Sequence, residues 1–239
     1  MIDRTEIATG IHRISFWDEA AWAPISFPGA SYSLYLIAAT KPAIVQTLFR
    51  RTFGRIRKAV DEVADARELA YIVVPHHEGD SSGAINEWLD AAPRAQTLCS
   101  ELCAVLSLRD LADRELTIVK DGEVVDLGSH RLRFIMTPQV NQWDSLMVFE
   151  ETTGTLFPND LFSMLGTEIV TDRDVSPDIL AAAQQLGYQP NDRDCLLRAL
   201  NAIAALPVQV IAPMHGPVLR GHFPALLRTY REGFLSAAA

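Results

Sequence analysis

Positive charge is scarce in this chain. Lysine and arginine together number 21 against 30 aspartates and glutamates, for a formal net charge of -9 over 239 residues. Broad binding to nucleic acid or to an anionic membrane needs clustered Lys and Arg. The one short cluster, Arg50, Arg51, Arg55, Arg57 and Lys58, reads as the solvated face of a helix. Cysteine is scarcer still. Cys99, Cys103 and Cys195 form an odd set without zinc-ribbon spacing, which argues against a disulfide framework and fits a reducing cytoplasm. Cys99 and Cys103, one helical turn apart, read as small buried hydrophobes. The first residues, Met1 to Glu6, carry acids where a signal peptide would carry an apolar segment. No apolar run approaches the length of a membrane span. No linker or low-complexity tract interrupts the chain. The expectation is a single domain over residues 1–239, cytoplasmic, bound to neither nucleic acid nor membrane.

Hydrophobic residues make up 49% of the sequence, enough for a packed core. Gly10 to Phe16 alternates apolar and polar residues and predicts a strand. Ser31 to Ile37 and Ala43 to Thr47 predict a strand pair turning at Thr40-Lys41-Pro42. Phe53, Ile56, Val60 and Val63 form the stripe of an amphipathic helix. Ala70 to Val74 is a buried strand. Short strand and helix signals follow, and Leu116–Val119, Glu123–Leu127 and His130–Met136 predict three consecutive strands separated by Asp121-Gly122 and Gly128-Ser129. Two more strands surround Thr153-Gly154. Asp192 is a plausible N-cap for a helix with Leu196, Ala199, Leu200 and Ile203 along one face. Val208–Ala212 is a last buried strand, and a helix carrying Phe223, Leu226, Leu227, Tyr230 and Phe234 closes the chain. The order suits an α/β fold with sheets inside and helices outside.

Chemistry-bearing residues gather at the ends of strands. Pro75-His76-His77-Glu78-Gly79-Asp80-Ser81-Ser82-Gly83 puts two imidazoles and two carboxylates within five residues, directly after a buried strand. Tight turns let His76, Glu78 and Asp80 converge on one point, and imidazole with carboxylate is the donor set for Zn, Fe and Mn. A solvated polar loop is the alternative for this stretch taken alone. Asp160, in Pro158-Asn159-Asp160, and His215, in Pro213-Met214-His215-Gly216-Pro217, end two further strands. Ligands arriving from separate loops on one rim are how a fold assembles a site. Gly83 and Gly216 fit tight backbone turns beside it. His12, His130 and His222 read first as surface or packing residues, and Trp17, Trp22 and Tyr32 as buried aromatics that could also shape a pocket mouth. Asp144 could orient the neighbouring loop as a hydrogen-bond acceptor.

These segments together resemble the metallo-β-lactamase-like domain of flavodiiron proteins and its stand-alone diiron relatives. The family's ligand loop, His-x-Glu-x-Asp-His-Ser-Gly, is similar to His76 through Gly83. Its upstream Gly-x-Ser-Tyr-Asn-x-Tyr-Leu-Ile is similar to Gly29 through Ile37. Its Pro-x-x-His-x-x-Asp-Ser segment is similar to Pro138 through Ser145, its bridging-aspartate strand end to Leu156 through Phe162, and its Pro-x-His-Gly to Pro213 through Gly216. The resemblance runs through nearly the whole chain and implies an αββα sandwich. It also implies two metals sharing Asp160, one with His76 and Glu78, the other with Asp80 and His215. Two expected histidines are replaced, by Ser81 and by Asn141, which leaves these positions as weaker ligands.

Two imidazoles and three carboxylates suit Fe, with Mn or Zn as other possibilities. The resemblance therefore implies a diiron protein that binds, senses or reduces dioxygen or nitric oxide. In flavodiiron proteins electrons come from FMN on a following flavodoxin-like domain. No such segment follows here before Ala239, so the expectation is no FMN in this chain, a separate flavoprotein or other electron donor, and a possible homodimer. Two alternatives stand beside this one. A metal-dependent hydrolase of the same fold would use a His-x-His-x-Asp-His loop, with Glu78 at its second histidine and His77 one residue out of register. A scaffold or binding protein would carry the same residues as a degenerate site.

Overall fold

The computed structural model describes residues 2–19, 29–164, 170–186 and 192–235. The chain opens with an antiparallel hairpin of β1 (Ile2–Ala8) and β2 (Ile11–Asp18), which continues into β3 (Ala30–Ile37) and β4 (Ala43–Val45). From β4 the pairing turns parallel through β5 (Tyr71–Val74), β6 (Gln96–Cys99) and β7 (Leu116–Ile118), completing a seven-stranded sheet in sequence order. The crossovers carry α1 (Phe53–Asp61), the one-turn α2 (Gly79–Ser82), α3 (Ile85–Ala91), and a helical stretch from α4 (Glu101–Cys103) through a π-helical segment to α5 (Arg109–Leu111).

The second sheet also has seven strands: β8 (Val124–Asp126), β9 (Arg131–Met136), β10 (Leu146–Glu150), β11 (Thr155–Phe157), β12 (Val170–Thr171), β13 (Val210–Ile211) and β14 (Val218–Arg220). Their spatial order is β12-β14-β13-β11-β10-β9-β8. Its helices are α6 (Ser176–Leu186), α7 (Arg193–Ala204) and α8 (Phe223–Leu235). The three strand signals between residues 116 and 136 thus divide. β7 closes the first sheet and β8 opens the second, with Asp121-Gly122 making the passage between them.

Strand alternation sorts side chains into three apolar layers. Tyr35, Val45, Val73, Phe134, Val148 and Phe157 pack between the sheets. Leu34, Leu36, Ile72 and Val74, on the opposite face of their strands, meet Ile56, Val60 and Trp88 of the first helix layer. Met147, Phe149 and Ile211 meet Leu196, Leu200, Leu226 and Tyr230 of the second. The result is an αββα sandwich. The expected helix faces are the buried ones: Leu196, Ala199, Leu200 and Ile203 all turn inward, and Asp192 caps α7 by accepting the Cys195 amide at 2.7 Å. Cys99 and Cys103 are fully buried. Among the described residues no helix is long and apolar enough to cross a membrane.

A buried acid fastens the turn between β10 and β11. Glu150 accepts the amides of Thr152 and Thr153, both at 2.8 Å, and the Thr153 hydroxyl at 2.5 Å. His130 Nδ1 faces the same carboxylate at 3.2 Å. Burial raises the Glu150 pKa, but these hydrogen bonds outweigh it and hold the carboxyl below its ordinary range. A carboxylate with a depressed folded-state pKa stabilises the fold above its unfolded pKa, and that stability is lost as pH falls through the folded value. Glu150→Gln is expected to cost about 1–2 kcal/mol at neutral pH. The gap to wild type should narrow on acidification below the ordinary glutamate range. Urea unfolding at pH 7 and pH 3 checks this, and a gap as large at pH 3 as at pH 7 would contradict it.

Candidate metal centre

The first group of candidate ligands comes off the C-terminal end of β5. Leu146, which opens β10, donates its amide to the carbonyl of Pro75 at 3.0 Å and so ties the two sheets together just before His76. His76 is completely buried. The chain then winds into α2 instead of running as an open loop: the amides of Ser81 and Ser82 donate to the Glu78 carbonyl at 3.0 and 2.8 Å. This turn gathers one ligand atom from each of His76, Glu78 and Asp80 within 4.8 Å of one another.

The other two candidates arrive from the second sheet. Asp160 follows β11 through Asn159, which takes a left-handed φ of 61°, a conformation asparagine tolerates. His215 follows β13. His76 Nε2 lies 3.0 Å from Glu78 Oε2, 3.7 Å from Asp80 Oδ1 and 3.5 Å from Asp160 Oδ2. His215 Nε2 lies 3.5 Å from Asp80 Oδ2 and 3.4 Å from Asp160 Oδ1. Asp80 and Asp160 therefore each reach both imidazoles.

His215 is held by β2 and β3. Its Nδ1–H donates to the Ser31 carbonyl at 2.8 Å, which orients the ring and turns Nε2 toward the carboxylates. Gly216 donates its amide to Ser31 Oγ at 2.8 Å. Its φ of +85° places a hypothetical Cβ in overlap with the Met164 carbonyl, so only glycine fits. Buried Arg13 reaches from β2 to the Gly216 carbonyl at 3.0 Å and to Ser33 Oγ at 2.9 Å. The Tyr35 hydroxyl donates to the Pro213 carbonyl at 2.6 Å, and Tyr32 packs edge-on against the His215 ring at 4.9 Å between centroids.

Crowding shows in the protonation of the cluster. Burial pushes His76 down, but Asp160, Glu78 and Asp80 outweigh it and raise the imidazole to about 9. His215 is likewise raised against burial by Asp80 and Asp160. Burial lifts Asp160 to about 6 despite both imidazoles, with Asp80 and Glu78 adding to the rise. Asp80 is lowered, because the two imidazoles overcome its burial. Three carboxylates at this spacing require cations among them, and protons on the histidines serve that role here. Meanwhile His76 Nδ1, Asp80 Oδ1, Ser81 Oγ and Asp160 Oδ1 are buried with no hydrogen-bond partner among the described residues. Buried polar atoms left this way carry a desolvation cost that a ligand removes. The imidazole nitrogens and carboxylate oxygens gathered at this spacing fit a transition-metal ion.

The remaining expectations fall into place around the cluster. Asn141, in a left-handed backbone at φ 74°, donates Nδ2–H to Asp160 Oδ2 at 2.5 Å. Gln142, which the sequence reading passed over, donates Nε2–H to Glu78 Oε1 at 2.6 Å. Its adjacency to Asn141 was the available signal. His77 stands outside the cluster, with Nδ1 2.9 Å from the buried Asp144 carboxylate. His130 packs on Glu150, and His222 is exposed, away from the centre. Trp143 is 58% exposed, and Trp22 lies outside the described residues. An apolar groove of about 640 Å³ opens between α7 and α8, lined in part by Ile203, Leu206, Phe223 and Leu227, and none of the candidate ligands borders it.

The family model described as ODP family beta lactamase matches residues 31–216. The chain belongs to the ODP family of beta lactamases. Among curated relatives of this ODP-family chain, a Thermosynechococcus vestitus protein named as a diflavin flavoprotein A 1 is 33% identical over 214 residues, covering 85% of this chain and 37% of the relative. A nitric oxide reductase of Moorella thermoacetica is 29% identical over 211 residues, covering 84% and 53%. The chain thus spans about a third to a half of the length of these relatives. The solved flavodiiron protein from Giardia intestinalis superposes with a TM-score of 0.85 at 20% identity, covering 99% of this chain and 60% of that one. The rubredoxin oxygen:oxidoreductase of Desulfovibrio gigas gives 0.83 at 20%, covering 98% and 61%. At that identity the two structures speak to the fold alone, which is the flavodiiron-type metallo-β-lactamase fold.

Proposed function

We propose that this ODP-family domain holds a non-haem iron centre of the flavodiiron type and that it binds and reduces dioxygen or nitric oxide. The observation that carries the reading is the convergence of His76, Glu78, Asp80, Asp160 and His215 on one rim, where Asp80 Oδ1 and Asp160 Oδ1 are buried without a hydrogen-bond partner among the described residues. Iron, or manganese in its place, supplies a redox-active ion with an open position for a diatomic ligand. The protein's residues set the conditions. His215 presents Nε2 from a ring oriented by Ser31. Asp80 and Asp160 offset the charge of the ion. Leu161 and Tyr230 border a small cavity beside Asp160 and Asn141. Glu78, with 41% of its side chain exposed, is the carboxylate through which the centre exchanges protons with solvent.

The reading extends to a cytoplasmic protein whose centre receives electrons from a flavoprotein or other donor. The relatives' names, with flavin, nitric oxide and oxygen among them, support this chemistry. Hydrolysis is less well supported, because it needs an imidazole in place of Glu78 and His77 is engaged with Asp144. The test is iron analysis of protein purified anaerobically from iron-replete cells, with optical spectra before and after oxygen or nitric oxide. Bound iron and a new visible band on gas addition are expected. Zinc with no spectral response, or no retained metal, would overturn the reading.

A further inference from the structure

The two halves of the ligand cluster are chemically unequal. Asp160 divides its oxygens between them: Oδ1 faces His215 at 3.4 Å and Oδ2 faces His76 at 3.5 Å. On the His215 side, Asp160 Oδ1 is buried with no hydrogen-bond partner among the described residues, and Asp80 Oδ2 lies 3.5 Å from His215 Nε2. On the His76 side, Asp160 Oδ2 accepts from Asn141 Nδ2 at 2.5 Å. Glu78 is occupied at both oxygens, with Oε1 accepting from Gln142 Nε2 at 2.6 Å and Oε2 lying 3.0 Å from His76 Nε2.

The direction of these amides is set by chemistry. An ionised carboxylate only accepts, so the N–H face of each amide is the one turned toward it. An N–H group has no lone pair for a metal. For an ion to sit between His76, Glu78 and Asp160, both amides must leave. Asn141 would then break a short hydrogen bond to offer, at best, a neutral oxygen where an imidazole would stand. The His215 side demands no such rearrangement. Its imidazole is already oriented by Ser31, Asp160 Oδ1 has no hydrogen-bond partner, and no amide N–H is turned into it among the described residues.

We infer that this centre binds a single divalent transition-metal ion tightly, through Asp80, Asp160 and His215, and that the Asn141 and Gln142 amides take the place of a second ion beside His76 and Glu78. The inference rests on the functional reading only in requiring that the centre bind metal. It assigns Asn141 and Gln142 the role of closing one half of a site that the family resemblance implies to be dinuclear.

The test is an anaerobic titration of the metal-free full chain with cobalt(II), reading ions retained per chain after gel filtration and the paramagnetic resonance of the bound cobalt. Wild type is expected to retain one ion, with the second weaker by about 100-fold, at the upper end of what losing ligand support costs, and to show the signal of an isolated ion. Asn141→His is expected to retain two, with the signal diminished by coupling between them. Gln142→Ala leaves Asn141 untouched and is expected to tighten the second ion about tenfold without altering the first, so it reports even if the histidine variant does not fold. Two ions in wild type with affinities within tenfold would overturn the inference and leave the functional reading standing. Folded variants that still retain one ion would overturn it as well. Failure of wild type and variants alike to retain any ion would overturn the functional reading itself, and this assignment with it.

Discussion

Asp160→Asn is expected to abolish metal binding while leaving the fold intact. Asp160 is the buried carboxylate that reaches both His76 and His215, so its loss weakens every arrangement of ions in the cluster. An amide oxygen in its place is neutral and a poor ligand, and the affinity should fall by more than about 100-fold, since even outer-shell losses cost 10–100-fold. The metal-free protein should tolerate the change. Burial already pushes the Asp160 carboxyl up to about 6, so its charge is held against desolvation and against Asp80 and Glu78. Thermal unfolding with and without iron(II) separates the two effects. A ligand at 100 times its dissociation constant adds about 2.7 kcal/mol to the stability of the state that binds it. Wild type should gain that shift and Asp160→Asn should gain none at the same concentration. An equal shift in both proteins would remove Asp160 from the ligand set.

Trp88→Ala should be the most damaging single change in the first helix layer. Trp88 is fully buried, meets Phe53 edge-on at 5.1 Å, and donates its indole N–H to the Thr47 carbonyl at 2.9 Å. Truncating a buried tryptophan costs about 3–5 kcal/mol through lost transfer energy and the cavity left behind. The Thr47 carbonyl loses its donor as well, which adds about 1 kcal/mol or more. Against a typical total of about 5–15 kcal/mol, the variant sits near the edge of folding. The damage also reaches the centre. The Thr47 amide donates to the Ser81 carbonyl at 3.0 Å, and its hydroxyl does the same at 3.0 Å. Thr47 thus anchors the turn that carries Glu78 and Asp80. Trp88→Phe should keep most of the packing and lose the hydrogen bond, costing about 1–3 kcal/mol. Denaturant midpoints for the two variants give the comparison. A Trp88→Ala loss below about 2 kcal/mol, the low end for buried large-to-small changes, would show that this layer relaxes around the void.

The candidate ligands were legible because their chemistry is local and rare. His76, Glu78 and Asp80 crowd one turn, and Asp160 and His215 each follow a short apolar run that could only be a buried strand. The layered fold was legible from the same runs and from the helical stripes between them. What stayed hidden depends on contacts far along the chain. The division of β7 from β8 leaves no trace in composition, because both are three-residue strands that flank an ordinary Asp-Gly turn. Gln142 looks like any surface amide until the fold brings it to Glu78. Arg13 carried a faint signal. Alternation along β2 puts it on the face of Ile11, which packs between the sheets, and a cation there calls for a partner. That the partner is the backbone at Gly216 could not be read from β2 alone.

The grip of β2 and β3 on the last ligand has a consequence for biosynthesis. Ser31 and His215 are 184 positions apart, and Arg13 and Gly216 are 203 apart. At roughly 5–20 residues per second, the ribosome takes about 10–40 s to bridge the first of these separations. Within that interval His76, Glu78 and Asp80 are made before the aspartate at position 160, and they lack the imidazole at position 215 until its end. The centre can close only after residue 216 has cleared the exit tunnel, so its full ligand set cannot hold metal before then.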